Sequence, residues 1–376
     1  MAVKIAYFTE SLPPNTDGVV RTICNLTSTL EARGVDYRLF SPFKPDPSFS
    51  WSHRVYKLVS LPLALYTDYR LAIPYFHPLD RALDSFRPDL IHVISPSLLG
   101  LFGLDYARKR GLPAVSSYHT HFVSYFSYYG FSKVTGPGWR FLHWFHNQFR
   151  KTYAPSPSAV RELTDHGIRG VELWQRGVDL RRFSPAYRCD ELRRSVGAHH
   201  VPLLLYVGRL VKEKDLDDLV EAAHLLRIRG CRFALAIVGD GPMREELGQA
   251  LPCAHFLGYQ HGDQLSAWYA SADAFVFPST TETFGNVILE AFASGLPAVG
   301  VSQGGVADII THGRDGLLAR PHDPRSLADA IQSLLCDEPR RTAMARAALS
   351  TAASYRWDAV NEKLINSYHA VWTTTS

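Results

Sequence analysis

The sequence predicts an α/β protein built as two doubly wound, parallel-sheet domains that face each other across a cleft. Three observations carry this. The chain has 376 residues, which at roughly 150 residues per domain suggests about two cores. Short apolar bursts alternate with longer helical patterns along its length, and each half repeats that alternation. Strands that are apolar without a polar face are buried on both sides, as in parallel sheets covered by helices.

The first strand is expected at Lys4–Phe8, because MAVKIAYF lacks the charged and apolar regions of a secretion signal. A turn-rich loop, Pro13-Pro14-Asn15 through Asp17-Gly18, then opens a helix over Val19–Arg33. Asp36–Phe40, Leu90–Ile94 and Ala114–Tyr118 read as further strands of the first half. The second half offers Leu203–Val207, Ala234–Val238, His255–Leu257, Ala274–Phe277 and Ala298–Val301. Leu216–Arg229, Asp263–Ser271 and Asn286–Ser294 read as helices between them. Polar turn chemistry in Gln175–Pro185 marks the join. The expected division is 1–179, 180–356 and a closing segment 357–376, whose helix carries Trp357, Tyr368 and Trp372 and is expected to cross back to the first domain.

Composition excludes several classes. Hydrophobic residues at 46% and charged residues at 20% supply enough apolar surface to rule out a disordered chain. Five scattered cysteines (Cys24, Cys189, Cys231, Cys253, Cys336) form no close pair, which argues against a disulfide scaffold or zinc ribbon and for a reducing compartment. No window of 18 apolar residues lacks charge, so no spanning helix is expected. The expected location is the cytoplasm, with peripheral contact at the inner membrane face. Residues 1–190 hold 23 Lys and Arg against 15 Asp and Glu, and the remainder 17 against 21. A basic front half without a dense Lys/Arg run suits anionic small molecules or an anionic membrane better than nucleic acid.

Candidate chemistry clusters at strand ends. Gly18 opens a helix whose N-terminal N–H groups suit an anion, although Asp17-Gly18 also reads as an ordinary helix cap. The dinucleotide fingerprint G-x-G-x-x-G is absent. Gly239-Asp240-Gly241-Pro242 imitates it, but Pro242 lacks the N–H that a phosphate turn uses, so a dehydrogenase is disfavoured. In LYVGRLVKEK, Arg209 and Lys214 follow a strand's carboxyl end and suit a diphosphate, or are solvated surface cations. In PSTTETFGNVILEAFASG, Glu282 and Glu290 are hydroxyl acceptors, while Asn286 and Val287 begin a helix able to meet a phosphate. Paired carboxylates also serve retaining glycosidases, and a capping carboxylate followed by an ordinary helix glutamate is the plain alternative. His119 and His121 follow a strand in Tyr118-His119-Thr120-His121. They can donate to a sugar hydroxyl, or with His143 and His146 ligate a metal, for which no local third ligand is evident. Residues 118–149 hold 12 aromatics, which suits sugar stacking, a membrane interface or an aromatic core.

The ordered set Asp17-Gly18-Val19-Val20-Arg21, Ser117 to His121, Arg176-Gly177-Val178-Asp179, Gly208-Arg209-Leu210 with Lys214, Gly239 to Pro242 and Glu282 through Glu290 resembles the family 4 retaining glycosyltransferases. The resemblance covers nearly the whole chain and implies the GT-B fold of two Rossmann-like domains. Leu61-Pro62-Leu63, Tyr69 to Pro74 and Leu173 to Asp179 resemble a narrower branch, the GDP-mannose-dependent α-mannosyltransferases and plant-type sulfolipid synthases. The resemblance implies that Arg209 and Lys214 neutralise the donor diphosphate and that Gly18 lets the first loop close on it. It implies that Glu282 holds sugar hydroxyls with Phe284, Gly285, Asn286 and Val287, that Glu290 holds the ribose, and that His119 lies near the reacting carbon. Many members carry paired glycines where this chain has Asp17-Gly18, so Asp17, like His121, is assigned to the acceptor side.

The expected activity is retaining transfer of a hexose, first mannose from GDP-mannose, to a hydroxyl of a lipid or glycolipid. No cofactor, metal or nucleic acid is expected. The alternatives are a UDP-sugar donor of glucose, galactose or sulfoquinovose type, a phosphorylase or epimerase on the same fold, and a non-transferase protein that binds nucleotide sugar or nucleic acid.

Overall fold

A computed structural model describes residues 3–15, 17–63, 66–74, 78–119 and 135–374. The chain forms two compact units. Among the described residues, the first takes in those up to Gln175 together with those from Trp357 onward, and the second those from Arg176 to Arg356. The chain thus passes out of the first unit at Gln175 and re-enters it at Trp357.

The first unit is organised by a seven-stranded sheet. Its strands are β1 (Ile5–Phe8), β2 (Tyr37–Ser41), β3 (Val55–Lys57), β6 (Leu90–Val93), β7 (Ala114–Ser117), β8 (Lys151–Ala154) and β9 (Val171–Leu173), and β4 (Ser60–Leu63) and β5 (Tyr66–Ala72) form a separate antiparallel hairpin. The order is β3-β2-β1-β6-β7-β8-β9, parallel throughout. Alternate residues of β1 face opposite layers. Ile5 and Tyr7 join one core cluster, and Ala6 and Phe8 another, as the period of two requires.

The helix Trp357–Thr373 packs on the first unit. Its Tyr368 hydroxyl meets His92 Nδ1 at 2.6 Å and the Tyr7 hydroxyl at 3.4 Å. Asn361 Nδ2 donates to the Thr29 hydroxyl at 2.9 Å, and the Tyr153 hydroxyl donates to Ser367 at 2.9 Å. Of its three aromatics only Tyr368 is fully buried; Trp357 and Trp372 are half-buried. The helix brings Val360, Leu364 and Tyr368 to the core that Ile5 and Tyr7 occupy.

The second unit holds β10 (Leu203–Val207), β11 (Ala234–Val238), β12 (Ala254–Phe256), β13 (Ala274–Val276), β14 (Ala298–Val301) and β15 (Gly316–Ala319). They are ordered β12-β11-β10-β13-β14-β15, all parallel. The chain winds outward from β10 to β12 and returns to β13, so the winding reverses between β10 and β13. In the first unit it reverses between β1 and β6. Open α/β sheets bind ligands outside the strand carboxyl ends at such reversals. Both sheets agree with the expected fold class. β3, β8, β9, β15 and the β4–β5 hairpin were not among the expected strands: VYK and VEL are three-residue and KTYA and GLLA four-residue runs, and the hairpin carries Pro62, Asp68 and Arg70 among its apolar positions.

Candidate functional site

The loops that leave β10 and β13 carry the residues with chemistry. After β10, Gly208 turns the chain so closely that an added Cβ would lie 2.7 Å from the Tyr206 hydroxyl. That hydroxyl donates to the Arg209 carbonyl at 3.1 Å. The imitation phosphate loop has a different task, since it braces this turn: Gly208 N donates to the Val238 carbonyl, and Leu210 N to the Asp240 carbonyl, both at 3.0 Å. Gly239, at φ 138°, must be glycine, because a Cβ would overlap the Gly208 carbonyl oxygen at 1.9 Å.

Arg209 projects half-exposed, with its guanidinium 3.4 Å from the nearly buried Glu213 carboxylate. Lys214 sits on a short 3-10 turn, Lys212–Lys214. Its ammonium pairs with Glu282 Oε1 from the loop after β13, and both side chains are largely buried. Asp215 joins the two loops. It takes the left-handed conformation, φ 50°, which Asp tolerates better than most residues. Its Oδ2 accepts from the Thr280 amide and the Thr280 hydroxyl, both at 2.8 Å. The Glu213 carbonyl accepts from the Thr281 hydroxyl at 2.8 Å. Lys214 and Glu282 therefore meet through a built cross-connection, not through chance proximity of long side chains.

Beyond Glu282, Gly285 adopts φ 98° as the residue capping the helix Asn286–Ala293. Phe284 is buried and meets Tyr355 edge-on at 6.1 Å, so this turn offers a ligand its backbone and not the phenyl ring. Asn286 Oδ1 is buried without a hydrogen-bond partner, and Val287 is half-buried one residue further. Glu290 is buried and accepts from the Tyr269 hydroxyl at 2.9 Å through Oε2. A second glycine pair fixes the loop from behind. Gly305 N donates to the Glu282 carbonyl at 2.8 Å, and a Cβ on Gly305 would lie 2.5 Å from both Phe284 Cα and N.

The first unit holds Asp17, Gly18 and His119. Asp17 Oδ1 accepts from Val19 N at 2.8 Å and Val20 N at 2.9 Å, which makes it the cap of the helix Gly18–Ala32. Gly18 is exposed at the first helical position. His119 follows β7, half-buried, edge-on to Trp174 at 5.7 Å. His121 lies outside the described residues, as do half of the aromatics in the run from Tyr118 to Phe149. Within its described part, His146 is buried against the Ser116 hydroxyl, with Nδ1 at 2.9 Å, and burial holds its imidazole down at about 3. Among the described residues no group of three or more His, Cys, Asp or Glu side chains is placed to hold a metal ion.

Sequence reasoning missed Asp215, Thr280, Tyr269 and Gly305, whose roles lie in contacts distant along the chain. It also missed Glu10, which leaves the end of β1 at the reversal point of the first sheet. Burial pushes the Glu10 carboxyl up to about 7, against a lowering hydrogen bond from Ser97 in the loop after β6, and its Oε1 is buried without a partner. The folded state then keeps a proton that the unfolded chain releases above its ordinary value of 4.5. Stability is lost as pH rises from that value through about 7. Glu10→Gln, neutral and isosteric, is expected to stabilise the fold by about 2–3 kcal/mol at pH 8 and to be neutral at pH 4. Unfolding curves at the two pH values check this, and an equal effect at both would refute the buried neutral carboxyl.

Comparison with known proteins agrees with this architecture. The profile "Glycosyltransferase Family 4" matches residues 16–182, and "Glycosyl transferases group 1" matches residues 201–337. A GDP-mannose-dependent alpha-mannosyltransferase of Mycobacterium tuberculosis (strain CDC 1551 / Oshkosh) is 35% identical over 98% of this chain and 97% of its own. Sulfoquinovosyl transferase SQD2 of Arabidopsis thaliana is 32% identical over 98% of this chain and 74% of its own. Among solved structures, HepE of Anabaena in complex with UDP and glucose superposes with a TM-score of 0.78 at 20% identity, covering 98% of this chain and 99% of that one. Sucrose-phosphate synthase of Thermosynechococcus elongatus does so with a TM-score of 0.80 at 21% identity, covering 99% and 100%. At such identities these structures speak to the fold alone. The chain belongs to glycosyltransferase family 4 and has the GT-B fold.

Proposed function

We propose that this family 4 glycosyltransferase transfers mannose from GDP-mannose to a hydroxyl of a lipid or glycolipid, with retention of configuration. The observation that carries the reading is the buried pairing of Lys214 with Glu282 at the reversal point of the second sheet, with Arg209 beside Glu213 in the same loop as Lys214. Two cations at that edge suit the donor diphosphate and the charge that builds on it as the glycosidic bond breaks. Glu282 and the Gly285–Asn286 backbone suit the sugar hydroxyls and the phosphate. Glu290 would meet the ribose by exchanging or sharing its bond from Tyr269. The leaving phosphate would take the acceptor proton, so the proposal needs no side-chain nucleophile and no metal. Gly18 and His119 of the first unit would contact the donor, and Asp17, His121 and their neighbours the acceptor.

The mannose donor is favoured by the M. tuberculosis relative, aligned over nearly both full lengths. The plant sulfoquinovosyl transferase supports a second reading, a donor of sulfoquinovose type, which would be UDP-linked. The lipid acceptor is supported by Phe141 and Trp144, both exposed and three residues apart on the helix Thr135–His146, hence on one face. No described helix is long and apolar enough to cross a membrane, so contact with lipid would be peripheral, at the cytoplasmic face.

A thermal-shift screen of GDP, UDP and ADP with their sugar conjugates, run in a chelator, tests the donor. A nucleotide at 100 times its Kd stabilises by about 2.7 kcal/mol. The expected result is a shift with GDP and GDP-mannose; a shift with UDP compounds alone would transfer the assignment to the second reading, and the absence of any shift would contradict both. Glu282→Gln is expected to lower kcat by about 100-fold while GDP affinity changes less than about threefold. Equal losses in both would remove Glu282 from the sugar.

A further inference from the structure

The first unit contains a second site, lined by none of the residues assigned to the donor. A pocket of about 630 Å³ is lined by Pro14, Lys44, Lys57, Val59, Ser60 and Arg70, among others, and by no carboxylate. Lys44 follows the carboxyl end of β2, Lys57 ends β3, and Ser60 and Arg70 come from the β4–β5 hairpin. The Arg70 guanidinium is held in place by two bonds, Nε to the Ser60 hydroxyl at 2.8 Å and Nη2 to the Ser60 carbonyl at 3.1 Å. That leaves part of its fork of five donors for a ligand. Neither Lys44 nor Lys57 has an ion pair among the described residues. Three like charges around one concavity oppose folding, and an anion that binds there relieves the repulsion.

Apolar surface adjoins this charge. Val59, on the pocket wall, is 54% exposed, and Leu61 and Leu71, at 58% and 36%, stand directly opposite each other across the hairpin. Residues opposite one another share a face, so Leu61 and Leu71 occupy the hairpin face that Ser60 and Arg70 do not. The hairpin therefore offers Arg70 and the Ser60 hydroxyl on one side and exposed leucines on the other. Pro14 continues the wall into the loop that carries Asp17 and Gly18.

The geometry points to a site for the anionic head group of a lipid acceptor: a phosphate or similar oxyanion bound by Lys44, Lys57 and Arg70, with the hydrocarbon chain leaving over the exposed Val59 on the pocket wall. This rests on the transferase reading and narrows its acceptor to acidic, hydroxyl-bearing lipids.

Calorimetric titration of the full-length protein with monomeric dihexanoylphosphatidylglycerol, with neutral dihexanoylglycerol and with inorganic phosphate tests it. The acidic lipid is expected to bind at least about tenfold more tightly than either other probe. Lys44→Gln/Lys57→Gln, its fold checked by thermal unfolding, is expected to abolish that preference. No preference in the unsubstituted protein, or a preference that survives the double substitution, would overturn the site. Inorganic phosphate binding as tightly as the lipid would overturn the lipid as occupant. Binding as expected, but with mannosyl transfer to other lipids and none to acidic ones, would overturn the acceptor assignment while the transferase reading stood; transfer to no lipid at all would count against the transferase reading instead.

Discussion

Arg209→Ala is expected to lower kcat by 100- to 1000-fold and to leave the fold intact. The side chain is half-exposed, and its ion pair with Glu213 is long at 3.4 Å. Truncating it should cost at most about 1 kcal/mol of stability. Its proposed work is done only as the diphosphate departs, and losing one such stabilising donor typically costs two to three orders of magnitude in turnover. Lys214→Ala is expected to behave differently, although the proposal gives it the same chemical task. Its ammonium pairs with Glu282 in a largely buried setting, so removal strands a carboxylate and should destabilise by about 3–5 kcal/mol. Single-turnover kinetics beside unfolding curves separate the two cases. Turnover undiminished in Arg209→Ala would eliminate the assigned diphosphate contact.

Gly305→Ala is expected to reduce turnover by about 100-fold or more, although Gly305 is not itself assigned to the donor. An alanine Cβ would stand 2.5 Å from Phe284 N and Cα, and backbone cannot swing aside as a long side chain does. The helix Gly304–Ile309 or the loop Glu282–Gly285 must shift, which breaks the 2.8 Å bond from Gly305 N to the Glu282 carbonyl. A displacement of about 1 Å at a catalytic group is enough to cost two orders of magnitude, and overpacking of this kind costs about 1–3 kcal/mol of stability. Gly248→Ala is the control. It lies in the helix Arg244–Ala250, where an added Cβ meets nothing within 4 Å, so it should be neutral or mildly stabilising. Normal turnover in Gly305→Ala would show that the loop does not depend on this contact.

The parts of the molecule legible in the sequence are those encoded locally. β1, β10, β11 and β14 are unbroken apolar runs, and each is buried along its length. Arg209, Lys214 and Glu282 stand out because charge directly after such a run falls at a strand's carboxyl end. What distant contacts decide was not legible. The bonds from Thr280 to Asp215 span 65 residues, and no local pattern announces them. Gly239 and Gly241 resembled a phosphate loop, yet their requirement for glycine comes from the turn after β10. Asp17 illustrates a third case: its helix-capping geometry was readable, whereas a role toward an acceptor is not a property of local sequence. The cationic pocket was hidden for the same reason as Asp215, since Lys44, Lys57 and Arg70 come from three separate places in the chain, the loop after β2, the end of β3 and the interior of β5.

The central claim is most directly tested by product analysis with GDP-mannose labelled with carbon-13 at the anomeric carbon, incubated with the full-length protein and a polar-lipid extract. The expected result is GDP release matched by a labelled lipid whose anomeric signal is that of an α-mannoside, the configuration of the donor. A β-linked product would contradict retention, and intact donor under conditions where the protein binds GDP would contradict mannosyl transfer itself.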